Sequence, residues 1–432
     1  MVNSQKSASK KILFVAMQNS PHACRWINSI AERGWDLHLF PINNIPPLPM
    51  LRNVTIHPPL MVMDRKSIIK SLLTNPVNLN QEQNSLRYDY IYPIPIIPKI
   101  EAALNRISVR IGESQMPVPI LHSPRILASL IQKLKPDLIH SMEFQHCSYN
   151  VLAAKKYCAK DFPPWLATNW GSDIYYYRQF DNHRIQIKDL LSNINYYSCE
   201  CNRDISLAKE LAMTAKVMPV MPNTGGFDLE QIYPLRMMTP PSHRKLIMIK
   251  GYQHFAGRVL TALEALESCA DIVKDFHVII FSPSTEAINR ANEIMTYTDI
   301  KKITILPYVT HDQMLRMFAR SRVYLGVSIS DAISTSALEA MAMGAFPIQT
   351  NTSCCDEWFD DGVGGYIIPP NNSIVIAERL RTALLNDDLV DKAAEMNWLT
   401  VKQRLNQNDF SQRVWKFYDE IFQDIDNQII SK

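Results

Sequence analysis

The chain has no Cys-x-x-Cys pair, no apolar run long enough to span a bilayer, and little net charge. Its eight cysteines are scattered: Cys199 and Cys201 have one residue between them, and Cys354 and Cys355 are adjacent. Structural zinc sites need thiolates two to four residues apart, so neither arrangement suits one, and reduced, buried thiols are expected. No window approaches the roughly 20 apolar residues of a transmembrane helix. The N-terminal run ILFVAM is too short for a secretory core, and Gln18-Asn19-Ser20-Pro21 follows it in place of a small-residue cleavage site. A cytoplasmic protein is expected, at most peripheral at the inner face of a membrane. A formal charge of +3 over 432 residues argues against nucleic acid as a partner, which calls for dense basic patches. The loop Gln18 to His22 contains no glycine, so the first βα turn lacks the GxGxxG of a dinucleotide-binding dehydrogenase.

What is present is an ordinary globular balance, 47% hydrophobic and 20% charged, in a chain long enough for two or three domains. Apolar runs alternate with helical patterns. A strand over 11–17, a helix over 23–33 closed by Gly34, and a strand over 35–40 make a βαβ opening, whose first strand belongs at the centre of a parallel sheet. Short strands follow at 137–140 and 196–198. Pro222, Gly225, Gly226, Pro234, Pro240 and Pro241 then interrupt the alternation, which marks a domain boundary within 221–244. Beyond it, strands are expected at 246–249, 277–281, 303–306 and 323–327, with helices at 258–268, 286–296 and 311–319. Two doubly wound α/β domains result: an N-terminal one over 1–222 and a C-terminal one over 223–404.

The stretch 58–119 departs from this pattern. Residues 60–135 hold ten Lys/Arg against five Asp/Glu. Ile100, Leu104, Ile107 and Ile111 recur at helical spacing beside Lys99, Arg106 and Arg110. A solvated insertion is one reading; a basic amphipathic surface meeting a membrane or a lipid-linked acceptor is the other.

The chemistry concentrates in Ser328 to Asn372. A strand ends in a polar turn, Ser334 is an apt N-cap, and Gly344 closes the helix that follows. A helix start offers unpaired N–H groups and a positive dipole end, which attract phosphate. Ile333, Ser334, Thr335 and Ser336 surround that start, and the last three add hydroxyls. Asp331 precedes the helix and Glu339 lies one turn inside, with a side chain leaning back towards the N-terminus. Two carboxylates then flank a diphosphate and can accept from sugar and ribose hydroxyls.

These residues resemble the acidic signature of retaining glycosyltransferases of family 4, two acids separated by seven residues. The pair here reads Asp331-x7-Glu339, followed by EAMAMGAFPI, Asp356-Glu357 and Gly364-Gly365. The resemblance implies the GT-B fold: two Rossmann-like domains facing across a cleft, with the C-terminal segment 405–432, helical around 410–422, crossing back to the N-domain. It assigns Asp331 to the donor sugar and Glu339 to the ribose. Aspartate stands where the family has glutamate, one methylene shorter. LIMIKGYQHFAGR is similar to the family's first C-domain strand and its basic pair, with Lys250 and Arg258 as donor-binding cations for the pyrophosphate. Tyr308 and Val309 fall where the family contacts the base. On the acceptor side stand His22, His140, Glu143 and Asp173; the last lies in NWGSD, which resembles an HGSD-like turn with Trp170 in place of histidine.

The resemblance implies transfer of a sugar from a nucleoside diphosphate donor, UDP- or GDP-linked, to a saccharide or lipid-linked saccharide hydroxyl, as in polysaccharide biosynthesis. Retention is implied, with a nucleotide-sugar cosubstrate and no metal or other cofactor. The alternatives are a sugar-nucleotide epimerase or phosphorylase on the same architecture, and a catalytically silent partner subunit.

Overall fold

A computed structural model describes residues 9–43, 45–58, 86–89, 124–158, 161–236, 239–306 and 308–430. It divides into two compact units: Met1–Gly225 with Ser411–Lys432, and Gly226–Phe410.

Unit 1 carries an eight-stranded sheet in the order β4-β3-β2-β1-β5-β6-β7-β8. The strands are β1 (Lys11–Ala16), β2 (Asp36–Pro41), β3 (Thr55–Ile56), β4 (Arg87–Tyr88), β5 (Leu138–Met142), β6 (Trp165–Thr168), β7 (Tyr196–Ser198) and β8 (Lys216–Val217). Every pairing is parallel, and β1 lies centrally between β2 and β5. Leu13, Val15, Ile139, Trp165 and Tyr197 form one core with the helices covering that face. The first helix is shorter than its apolar pattern predicts, Pro21–Asn28 rather than 23–33. Ser29 turns its hydroxyl onto the Trp26 carbonyl at 2.6 Å, and Ile30, Ala31 and Arg33 continue with i→i+3 bonds. Tightened turns of that kind satisfy the last carbonyls without extending the helix.

Unit 2 has a six-stranded sheet in the order β11-β10-β9-β12-β13-β14, again all parallel. Its strands are β9 (Leu246–Lys250), β10 (His277–Phe281), β11 (Ile303–Leu306), β12 (Ser321–Gly326), β13 (Phe346–Thr350) and β14 (Tyr366–Ile368). Both faces of this sheet are covered, and strand alternation divides them. Ile247, Ile249, Val278, Ile280, Val323 and Leu325 enter one core; Leu246, Met248, Ile279, Phe281 and Tyr324 enter the other. A sheet buried on both faces presents its polar chemistry at the strand ends, and in parallel sheets ligands gather at the carboxyl ends.

The helix Gln407–Ile430 contributes its residues from Ser411 onward to unit 1. There the Tyr418 hydroxyl accepts from Trp26 Nε1 at 2.9 Å and stands 2.7 Å from His140 Nδ1. Among the described residues no helix is long and apolar enough to cross a membrane. The amphipathic stretch read at 100–111, and nearly all of 58–119, lies outside the described residues.

Candidate functional site

In unit 2 the central strands β9 and β12 are neighbours, so the loops leaving their carboxyl ends run side by side. Lys250 ends β9, and Asp331 and Ser334 follow β12. Lys250 Nζ lies 3.8 Å from Asp331 Oδ2 and 3.5 Å from Ser334 Oγ. Burial by itself lowers the Lys250 pKa. The Asp331 charge, helped by Tyr324, Tyr252 and Glu339, outweighs that and holds the ammonium above the ordinary lysine value. Asp331 keeps its geometry through the backbone: Ala332 N–H donates to Oδ1 at 2.9 Å.

Ser334 is the N-cap of the helix Thr335–Met343, and Gly344 ends it with φ +79. Yet the Ser334 hydroxyl makes no capping bond. It turns instead towards Lys250 and the buried Tyr324 hydroxyl, 3.3 Å away. The first N–H groups of the helix are thereby left without the side-chain acceptor that usually serves them. Thr335 and Ser336 are half-buried at that start, whereas Ile333 is buried and its side chain packs in the core with Leu338 and Met341. Its side chain is therefore turned away from that helix start.

Glu339, one turn in, is buried, and its Oε1 lies 2.8 Å from His311 Nε2. Arg258 caps the helix Val259–Glu267 and points Nη1 at the carbonyls of Gly257 (2.7 Å) and His254 (2.9 Å). In the same loop His254 Nδ1 accepts from Ala256 and Gly257 N–H at 3.1 and 3.3 Å, which leaves the proton of a neutral imidazole on Nε2. Burial, then the Lys250 and Arg258 charges, push its pKa below the usual histidine value. Tyr308 is 96% exposed, and Val309 packs against the core that holds Met248, Phe281 and Tyr324.

The sequence reading missed three of these groups: His311, His254 and Tyr324. Thr310 and Gln313 form a capping box, a pattern legible in the sequence, which fixes His311 in the first turn of the helix His311–Arg320. Its contact with Glu339 spans 28 residues, and no local pattern announces it.

In unit 1 the acceptor-side residues fall into two groups. His140 has no exposed surface; its Nε2 lies 2.7 Å from Thr168 Oγ1, and burial lowers its pKa to about 3. A sealed, neutral imidazole inside the core does not face an acceptor, so that expectation is corrected. The others collect at the carboxyl ends of β1, β5 and β6. Glu143, at φ +85, accepts from the N–H groups of His146 (2.8 Å) and Cys147 (3.1 Å) and caps a π-helical turn. Asp173 Oδ2 accepts from Trp170 N–H at 2.7 Å and Phe144 N–H at 3.0 Å. Burial, and then the Glu143 charge, raise the Asp173 pKa well above the carboxylate range. Half-buried His22 meets the Trp170 ring edge-on at 5.7 Å. Both carboxylates thus serve the backbone first.

Two family models match the chain. Residues 255–397 match the one described as Glycosyl transferases group 1, and residues 97–201 the one described as Glycosyl transferase 4-like. No curated protein matches it in sequence. Solved structures align along nearly the whole chain. A sucrose-phosphate synthase from Thermosynechococcus elongatus superposes with a TM-score of 0.68 at 13% identity, covering 96% of this chain and 99% of that one. A glycosyltransferase from Rickettsia africae gives 0.61 at 18% identity, with coverage of 96% and 99%. HepE of Anabaena, in complex with UDP-glucose, gives 0.60 at 13% identity, with coverage of 95% and 99%. Identities this low speak for the fold alone: two parallel-sheet α/β domains of the GT-B type.

Proposed function

We propose that this chain, a glycosyltransferase by its matched domains and its fold, moves a sugar from a nucleoside diphosphate donor to a saccharide or lipid-linked saccharide hydroxyl, with retention at the anomeric carbon. The carrying observation is the cluster of Lys250, Asp331 and uncapped helix start at the carboxyl ends of β9 and β12. On this reading the diphosphate lies against Lys250 and the N–H groups of Thr335 and Ser336. There a fixed cation and a helix dipole stabilise the charge that grows as the anomeric C–O bond breaks. Asp331 accepts from a hydroxyl of the donor sugar, and Glu339 from the ribose. The acceptor oxygen bonds to the same face of the anomeric carbon, and its proton passes to the departing phosphate. Lys250 and the helix start supply the positive field, so the reading assigns no role to a metal. UDP-sugars are the first donors to test, because a structural neighbour was crystallised with UDP-glucose.

The test has two stages. Nucleotides and nucleotide sugars are screened for thermal stabilisation of the purified chain, since a ligand that binds the native state raises its stability by mass action. The stabilising donor is then incubated with saccharide acceptors, and the anomeric configuration of the product is read by NMR. Retained configuration is expected; an inverted product removes the retaining mechanism, and a screen without hits removes the donor site. The basic stretch 58–119 remains the proposed contact with a lipid-linked acceptor, tested by co-sedimentation with anionic liposomes at low and high salt.

A further inference from the structure

Glu339 reaches its proposed task with one oxygen already engaged. His311 Nε2 stands 2.8 Å from Glu339 Oε1, while Oε2 accepts no hydrogen bond from the described residues. The two side chains sit in different surroundings: the glutamate is 7% exposed and the imidazole 46%. The backbone under His311 is fixed by the Thr310–Gln313 capping box, in which Thr310 Oγ1 accepts from Gln313 N–H at 3.3 Å and Gln313 Oε1 accepts from Thr310 N–H at 2.9 Å. The backbone under Glu339 is a helix whose residues Ala337, Leu338, Ala340 and Met341 are buried in one core cluster. The two helices share one buried core through Leu315, Phe318, Leu338 and Met341, and the His311–Glu339 pair adds a polar contact between them.

We propose that His311 is the positioning residue for recognition of the donor's ribose. The inference rests on the reading that Glu339 meets that ribose. A glutamate has three rotatable bonds, and ordering them when a ligand arrives opposes binding. The His311 N–H fixes the carboxylate beforehand and satisfies one of its buried oxygens. Oε2, with two lone pairs, is left to accept from both hydroxyls of a ribose cis-diol. His311 touches no part of the donor in this arrangement. Its effect is confined to ligands that carry the diol.

That confinement supplies the test. Binding of UDP, GDP and their 2′,3′-dideoxy forms is measured by calorimetry for wild type, Glu339→Gln, His311→Ala and His311→Gln. Wild type should prefer the ribose form. His311→Ala should lose about fivefold in affinity for it, the value of one ordinary hydrogen bond, while dideoxy binding stays unchanged. His311→Gln, whose amide N–H also donates, should recover most of the loss. In turnover, His311→Ala should raise the donor KM and leave kcat nearly intact. Equal weakening of ribose and dideoxy forms overturns the inference, because His311 would then act on the loop as a whole. A ribose preference that falls in Glu339→Gln but persists in His311→Ala also overturns it, while leaving the ribose reading in place. If Glu339→Gln keeps the full preference, or if neither nucleotide binds wild type, the ribose reading fails and the inference goes with it.

Discussion

Asp331 divides its two oxygens between the backbone and a cation: Oδ1 accepts from Ala332 N–H, and Oδ2 faces Lys250. Asp331→Asn preserves the first contact and removes the charge that a sugar hydroxyl would meet. Transfer should drop by roughly ten- to a hundredfold, the value of a hydrogen bond to a charged acceptor, while nucleoside diphosphate affinity holds. Near-normal release of nucleotide in a coupled assay would remove Asp331 from the reaction. Glu339→Gln should instead weaken nucleotide binding, by about tenfold on the same reasoning, and unchanged calorimetric affinity would place Glu339 outside the site. The positions of these two acids were legible in the sequence because strand, turn and helix start are local patterns that set them with seven residues between. His311 was not legible, since its meeting with Glu339 depends on how two helices pack. The same limit applied to His140, whose polar type says nothing of the Tyr418 and Thr168 partners that seal it in.

Elements were read most reliably where burial on both faces leaves an uninterrupted apolar run. The strand His277–Phe281 stands where its run lies, and the edge strand Ile303–Leu306 and the short Tyr196–Ser198 also stand where they were expected. The first helix was over-read, because Ile30 continues the apolar face while Ser29 redirects the backbone. Gly344 illustrates a readable stop: its φ of +79 is open to glycine at little strain. Contacts between distant elements carry stability that no local pattern displays. Tyr418→Phe tests one of them. It removes a buried hydroxyl that accepts from the Trp26 indole N–H and stands against the His140 ring nitrogen, at a cost of about 1–3 kcal/mol. Denaturant unfolding should show a lower midpoint with an unchanged slope.

At the scale of the whole molecule, unit 1 holds histidines whose titration opposes folding in acid, His140 and His57 most strongly. His140 is lowered to about 3 and His57 to about 4, each first by burial, against an ordinary value near 6.5. Below 6.5 the unfolded chain binds protons that the folded unit refuses. The His140 contribution is therefore intact at neutral pH and declines, by roughly 1.4 kcal/mol per pH unit, as pH falls from 6.5 towards 3. Asp173, raised by burial and Glu143, works in the opposite sense: folding holds its proton to higher pH, and that contribution declines as pH rises. The comparison that isolates the histidine is wild type against His140→Gln. The stability gap between them should narrow steadily from pH 6.5 to 5 in denaturant titrations, and a constant gap would contradict a neutral His140.

The last helix has a bearing on how the protein is made. Residues from Ser411 onward complete unit 1, whereas Gly226–Phe410 is one continuous piece of chain. On the ribosome the usual order of maturation is thereby inverted. The first 225 residues emerge early but lack the segment that covers Trp26 and His140, and they wait through the synthesis of everything between. All of unit 2 is synthesised before Tyr418 is. The nascent N-terminal half therefore keeps an open apolar surface until the last helix is made, and premature release shortly after Phe410 yields a chain with one complete domain and one incomplete one.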